Sequence, residues 1–367
     1  MRTIVAVVIC GLLALPAGAS TFSDPSTLLR SASRLSGLQV RRPVPTTTVT
    51  GAQYDTLLVR ALNRDYPRAL QLVDSRLYAR LGLTNRGIRG WASTSRAWYD
   101  PSARRLLLRR TPMAGRARVI NELVRALVDQ NFGLQRLAGL RARDRDRALA
   151  AKAIVDGTAA LASKLRPAPL RGTPLDRFLE LEDSAGLGPG RALAAELRYL
   201  GGRAALATAL RTFPQTTEQL LHVDKFLERE PPLATRLPAR IGETKLSTSE
   251  TFGELDVRNL LQAVGVPNAA GVASGWGGGR LGLYLTGQGD AVAALVLRWD
   301  TSEDAAEWRD ALPRYVAAAF PDATAHDCPP LDRCWSTTTE LAVGTLGETS
   351  VFVSGPGSDA VAAALLG

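Results

Sequence analysis

The chain has 367 residues, 46% apolar and 22% charged, which excludes a disordered protein and allows two domains with sizeable cores. Its 45 basic and 35 acidic residues leave a net charge of +10, but the densest basic stretch, Arg136 to Arg147, contains acids and has one aromatic neighbour, so we expect no nucleic acid partner. The two histidines, His222 and His326, are too far apart in sequence to form a local two-histidine metal motif.

Residues 1–19 have the pattern of a signal peptide. A basic start at Met1-Arg2-Thr3 precedes an apolar run from Ile4 to Leu15, and Ala17-Gly18-Ala19 is an A-x-A cleavage pattern. We therefore expect a secreted or cell-envelope protein that is cleaved near Ala19. A membrane partner is expected only if this segment is retained as an anchor.

The next part of the chain is predicted to be an extended lead-in followed by a helical domain. Residues 20–50 are rich in Ser, Thr and Pro, which indicates the lead-in, and residues 51–240 form the predicted helical domain. A strand is predicted over 104–110. Helices are predicted as a pair of short ones within 52–83 and then over 116–132, 144–164, 175–181, 190–210 and 217–228.

Residues 241–367 have a different pattern of apolar residues, and this pattern predicts a small α+β domain. The predicted order is β-β-α-β-β-α, which favours an antiparallel sheet with helices on one face. The strands are predicted over 280–286, 291–299, 337–343 and 349–354, and the helices over 302–320 and 359–366.

Two cysteines remain after the signal segment, and both lie in this last domain. Cys328 and Cys334 enclose a short segment with two prolines, so in an oxidising compartment we expect a local disulfide. The alternative is a metal site that also uses His326, although no fourth ligand is evident. His222 follows a helix start and is expected to be structural, while His326 is expected to face solvent.

The predicted helix 116–132 carries a motif that resembles a known family. Residues 121–130, Asn-Glu-Leu-Val-Arg-Ala-Leu-Val-Asp-Gln, are similar to an H-E-L-V-H-A-L-Q-D-Q helix, and residues 153–159, Ala-Ile-Val-Asp-Gly-Thr-Ala, are similar to A-L-x-E-G-x-A. Both motifs belong to exported bacterial proteins that resemble gluzincin-type zinc metallopeptidases. Weaker matches follow in the same order and cover most of the mature chain, at 37–38, 42–44, 214–222, 225–226, 242–243 and 273–280.

The resemblance implies a zincin-like helical domain in which the zinc site has degenerated. In H-E-x-x-H the histidines at i and i+4 bind zinc and the glutamate accepts a proton from the metal-bound water. Here Asn121 and Arg125 replace the histidines, Asp156 replaces the glutamate expected to be the third ligand, and Glu122 is unchanged. A guanidinium has no lone pair to donate, so we expect zinc to be lost and no cofactor to be present.

We expect Arg125 to replace the metal as a crosslink by forming ion pairs with Asp156 and Glu122. The alternative is a solvated helix face on which Arg125 pairs with Asp129, four residues on.

The sequence therefore predicts an exported, catalytically inactive metallopeptidase-like protein, a pseudoenzyme with a binding or structural role. Two alternatives stay open. One is an active hydrolase with a non-standard metal site that uses Glu122 and Asp156. The other is a module that binds a peptide or protein ligand in the former active-site cleft.

Overall fold

The computed structural model describes residues 25–83, 96–112 and 114–367, and the predicted signal peptide lies outside them. The predicted α+β class is confirmed, with a mostly helical N-terminal part and an antiparallel sheet in the C-terminal part. No helix of the described residues is long and apolar enough to cross a membrane.

The helices and strands have the following bounds. The helices are α1 Pro25–Ser36, α2 Gly51–Asp65, α3 Arg68–Arg80, α4 Arg116–Phe132, α5 Leu140–Arg143, α6 Arg145–Ser163, α7 Pro174–Asp183, α8 Pro189–Thr212, α9 Thr217–Leu221, α10 Val223–Glu228, α11 Glu254–Val264, α12 Ala269–Ala273, α13 Ser302–Ala319 and α14 Ser358–Leu366. The strands are β1 Thr46–Val49, β2 Ala97–Asp100, β3 Arg105–Arg109, β4 Arg240–Ile241, β5 Thr244–Thr251, β6 Trp276–Leu285, β7 Ala291–Trp299, β8 Thr324–His326, β9 Arg333–Ser336, β10 Glu340–Leu346 and β11 Thr349–Ser354.

Helix α1 occupies part of the segment predicted as an extended lead-in, so that prediction is wrong there. Leu28, Leu29 and Ala32 are buried on one face of α1, which packs against α4 and α6. The serines that suggested an extended chain bond to the helix itself, as Ser36 Oγ donates to the Ala32 carbonyl at 2.7 Å. Tertiary burial of the apolar face therefore outweighs the weak helix propensity of this segment.

Helices α4, α6 and α8 form the centre of the helical part. Val124, Leu127 and Val128 of α4 are fully buried in the core that these helices share. Helices α6 and α8 approach closely at two glycines, Gly157 and Gly190. A Cβ added to Gly157 would lie 2.1 Å from the carbonyl carbon of Gly190. Helix α6 also packs against α4, and the predicted site residues lie between those two helices.

The C-terminal sheet has eight antiparallel strands in the order β4-β5-β6-β7-β11-β10-β9-β8. The predicted β-β-α-β-β-α order includes β6, β7, α13, β10, β11 and α14, but it omits β4, β5, α11, α12, β8 and β9. Strand β5 is rich in Thr and Ser, and all three residues of β8 are exposed. These strands lack the apolar alternation by which a strand is recognised. The predicted helix 217–228 is also divided, at His222, into α9 and α10.

Helices cover both faces of the sheet, so the prediction that they lie on one face is wrong. On β7, Leu295 and Leu297 belong to the core that contains α11 and α13, whereas Ala294 and Val296 belong to a second core with Val361 of α14. Successive strand residues point to opposite faces, and burial on both faces gives β7 its almost continuous apolar sequence.

The larger sheet core extends into the helical part. Leu77 and Tyr78 of α3, Leu81 just after it and Phe178 of α7 belong to the same buried cluster as Trp276 of β6. Core packing therefore crosses the predicted boundary between residues 240 and 241.

Candidate functional site

The degenerate motif positions of α4 lie against α6. Asn121 Nδ2 donates a hydrogen bond to Ser163 Oγ at 3.2 Å, and Arg125 Nε lies 2.9 Å from Asp156 Oδ1. Moving forward along α4 thus corresponds to moving backward along α6, because the two helices run antiparallel. The structure brings Arg125 together with Asp156 and places both replaced histidine positions in contact with α6.

Arg125 lies between two carboxylates. Its Nη1 donates to Glu122 Oε2 at 3.1 Å, and its Nε forms an ion pair with Asp156 that does not have hydrogen-bond geometry. The side chains of Arg125, Glu122 and Asp156 are 18%, 5% and 15% exposed. Water therefore screens these charges less than it screens a surface ion pair.

Tyr99 holds the neighbouring carboxylates of α4 from strand β2. Its backbone N–H donates to Glu122 Oε2 at 2.9 Å, and its hydroxyl donates to Asp129 Oδ2 at 2.7 Å. Asp129 Oδ1 also accepts from the N–H of Leu134 at 2.7 Å. Asp129 is therefore buried in its own set of hydrogen bonds, and the Arg125–Asp129 pair considered from the sequence does not form.

The two carboxylates of the site differ in electrostatic environment. Burial raises the pKa of Glu122, and this effect outweighs the opposing effects of the Arg125 charge and the Tyr99 N–H. Burial also acts to raise the pKa of Asp156, but the positive charges of Arg125 and Lys152 outweigh it and hold that pKa below its ordinary value. Asp156 is consequently ionised near neutral pH, and its charge helps to keep Arg125 protonated.

Lys152 completes the charge balance of the site. Its Nζ donates to Asp156 Oδ2 at 2.9 Å from one turn earlier in α6. Two cations, Arg125 and Lys152, thus face two carboxylates, Glu122 and Asp156. These residues do not fit Zn²⁺, because a dication would have to lie beside a permanently charged guanidinium that offers no lone pair.

Away from the Arg125 site, a group of three acids in the described part of the chain has carboxylate oxygens close enough to one another to hold a metal ion. It consists of Glu218, Glu230 and Asp300. Lys225 Nζ lies 2.5 Å from Glu218 Oε1, 3.1 Å from Glu230 Oε1 and 2.7 Å from Asp300 Oδ2. The ammonium group of Lys225 therefore serves as the cation of this group.

The two histidines and the two cysteines lie outside the α4–α6 contact. His222 Nε2 lies 2.9 Å from Glu254 Oε1, and His326 is exposed. The predicted disulfide between Cys328 and Cys334 is confirmed, with an S–S distance of 2.00 Å. Both sulfur atoms are bonded to each other, so the alternative metal site with His326 is not formed.

Several residues of the site were not predicted from the sequence. Lys152 precedes Asp156 by four residues, and this helical spacing of opposite charges could have identified it. Ser163 and Tyr99 had no comparable signal, because they contact Asn121 and Glu122 only through tertiary packing. Residues 225–226 were matched to the resembled family, but the contacts of Lys225 with three acids were not predicted from the sequence.

Comparison with known proteins adds one match. Residues 240–365 match a domain of unknown function, DUF8575, which corresponds to the C-terminal sheet and its helices. No curated protein and no solved structure matches the chain.

Proposed function

We propose that this protein is an exported, catalytically inactive relative of zinc metallopeptidases, with a binding or structural role in the cell envelope or outside the cell. The observation that carries the proposal is the position of Arg125 between Glu122 and Asp156. In the resembled family these are the positions of a zinc-binding histidine, the general base and the third ligand.

The contacts of Glu122 favour a structural role for this residue. Glu122 Oε2 already accepts from the Tyr99 N–H and from Arg125. Its carboxylate therefore connects α4 to β2 and orients the guanidinium of Arg125 on the same helix.

The contacts of Arg125 support a structural use of the former metal position. A zinc ion would join two helices by neutralising the acidic ligands, and the Arg125–Asp156 pair joins α4 to α6 with a charge from the protein itself. The Asn121–Ser163 hydrogen bond makes a second connection between the same helices. The disulfide is compatible with an oxidising compartment, as expected for an exported protein.

Metal analysis of the purified mature protein, together with a peptide hydrolysis assay, tests the proposal. We expect far less than one zinc per chain and no hydrolysis. A matched control is the triple variant Asn121→His, Arg125→His, Asp156→Glu, which restores the ligands of the resembled motif and is expected to bind zinc. Stoichiometric zinc in the unaltered protein, with hydrolysis that disappears in Glu122→Gln, would overturn the proposal.

A further inference from the structure

A cavity lies at one end of the helical part. It has a volume of about 510 Å³ and opens between the segment that follows α4, the start of α6 and the end of α8. Ligand pockets typically have volumes of about 300–1,000 Å³. Its lining shares no residue with the Arg125 site and consists of Arg136, Leu137, Leu140, Arg143, Asp144, Arg147, Arg211, Thr212 and Phe213.

The lining carries an excess of positive charge. Four arginines face a single acid, Asp144. Asp144 Oδ1 accepts from the backbone N–H of Arg147 at 3.1 Å and so caps the N-terminus of α6. In the described part of the chain, no carboxylate forms a salt bridge with Arg136, Arg143, Arg147 or Arg211.

Two of these arginines are held in place by aromatic rings. The guanidinium of Arg136 lies 4.0 Å from the ring centroid of Phe213 and donates to the carbonyls of Leu210 and Arg211 at the end of α8. The guanidinium of Arg211 lies 5.7 Å from the ring centroid of Phe132. Such contacts fix the direction of a cation without neutralising it.

The other two arginines are free to bind a ligand. Arg143, the last residue of α5, and Arg147, in the first turn of α6, are exposed. The side chain of Arg147 makes no hydrogen bond among the described residues. Arg143 makes one long hydrogen bond, 3.5 Å, to the carbonyl of Ala138. Guanidinium groups bind phosphate oxygens through paired N–H donors, so two such groups at one cavity can hold one oxyanion from two sides.

We propose that this cavity binds a phosphate-bearing anion, held chiefly by Arg143 and Arg147. Arg136 and Arg211 add to the positive field, and Leu137 and Leu140 supply apolar walls for the organic part of an organic phosphate. A base of a nucleic acid strand would need a free aromatic face for stacking, whereas Phe132 and Phe213 are both taken by arginines. The chemistry therefore favours a small phosphate compound or a phospholipid headgroup.

Isothermal titration calorimetry of the mature protein with inorganic pyrophosphate tests the proposal. We expect saturable binding at one site per chain. In the double variant Arg143→Gln/Arg147→Gln the affinity is expected to fall at least about tenfold, because two charge-assisted contacts are lost. The matched control, Arg236→Gln/Arg314→Gln, removes the same net charge at exposed positions away from the cavity and is expected to change the affinity less than about twofold.

Sedimentation with vesicles separates the two sources of phosphate. Binding to phosphatidylcholine vesicles that contain phosphatidylglycerol, lost in the Arg143/Arg147 variant, would assign the site to a lipid headgroup. Pyrophosphate binding without vesicle binding would assign it to a soluble phosphate compound, and both results support the site. The proposal is overturned if neither probe binds, if the control variant loses as much affinity, or if a single-stranded oligonucleotide binds in preference to pyrophosphate.

Discussion

Arg145 of α6 and Asp256 of α11 form an ion pair in which the side chains are 1% and 0% exposed. The pair joins the helical part to the sheet part across 111 residues of sequence. Arg145 also lies 3.2 Å from Glu182 and 3.9 Å from Glu250, so several carboxylates depend on one guanidinium. Among the described residues, the Arg145–Asp256 pair is the most deeply buried ion pair between the helical part and the sheet part.

Removal of that guanidinium is expected to be costly. In Arg145→Ala, Asp256 loses its buried counter-charge while Glu182 keeps its pair with Arg141 at 2.8 Å, and we expect the free energy of unfolding to fall by about 3–5 kcal/mol. Urea unfolding followed by circular dichroism measures the change. The neighbouring variant Arg147→Ala, at an exposed position, should stay within about 0.5 kcal/mol of the unaltered protein. Equal effects of the two variants would contradict this account of the pair.

Arg125→Ala is expected to destabilise the fold for a similar reason. The substitution removes the ion pairs with Glu122 and Asp156, and the expected loss is about 3–5 kcal/mol, with Lys152 favouring the lower end because it still neutralises Asp156. Thermal unfolding would report the loss as a lower melting temperature. Arg116→Ala, in the exposed first turn of the same helix, is the control, and an unchanged melting temperature in Arg125→Ala would exclude the crosslink.

Two buried glutamates are expected to contribute to the pH dependence of stability. Burial raises the pKa of Glu218 to about 7 and that of Glu254 to about 7, so the folded protein binds their protons more tightly than the unfolded chain. The contact with Glu254 also raises the pKa of His222. The stability that the two glutamates contribute is present below pH ~4.5 and is lost as the pH rises through about 7, and the contribution of His222 is present below its ordinary pKa of 6.5 and is lost above it. We therefore expect the free energy of unfolding to fall between about pH 5 and pH 8.

Urea midpoints measured across this range test the sign of that slope. The double variant Glu218→Gln/Glu254→Gln should show a shallower fall, because its amides do not titrate. Asp156, whose pKa is lowered, contributes stability that is lost only as the pH falls through that lowered pKa in more acidic solution. A midpoint that rises steadily from pH ~5 to pH ~8 would refute this assignment.

Gly157→Ala tests the close approach of α6 and α8. Alanine has a higher helix propensity than glycine by about 1 kcal/mol, so local preference alone predicts stabilisation. The added Cβ would instead meet the backbone of Gly190 at 2.1 Å, and we expect a net loss of about 1–3 kcal/mol. Gly287→Ala, where the same atom would enter open space, is the control in thermal unfolding. A higher melting temperature for Gly157→Ala would show that the helices can separate at little cost.

Local patterns were sufficient to predict some of these features. The apolar arc of α4 is a property of one segment, and the Cys328–Cys334 disulfide closes a short loop, so both could be predicted without tertiary structure. The importance of Arg125 and Asp156 came from the resemblance to a family motif, because their spacing alone does not bring α4 and α6 together.

The remaining features depend on contacts between distant segments. Helix α1 has a Ser-rich sequence that is weakly helical by itself and is stabilised by burial against α4. The Arg145–Asp256 pair and the cavity that joins Arg147 to Arg211 each combine residues far apart in the chain. Sequence spacing carries no information about such pairs until the fold is known.

The sheet core described above has a consequence for residues 240–365 as a separate unit. That region leaves out Leu77, Tyr78, Leu81 and Phe178, which complete the apolar packing against one face of the sheet here. Residues 240–365 alone would expose this apolar face unless another segment or a partner chain covered it. The region that matches the family model is therefore smaller than the core in which it packs in this chain.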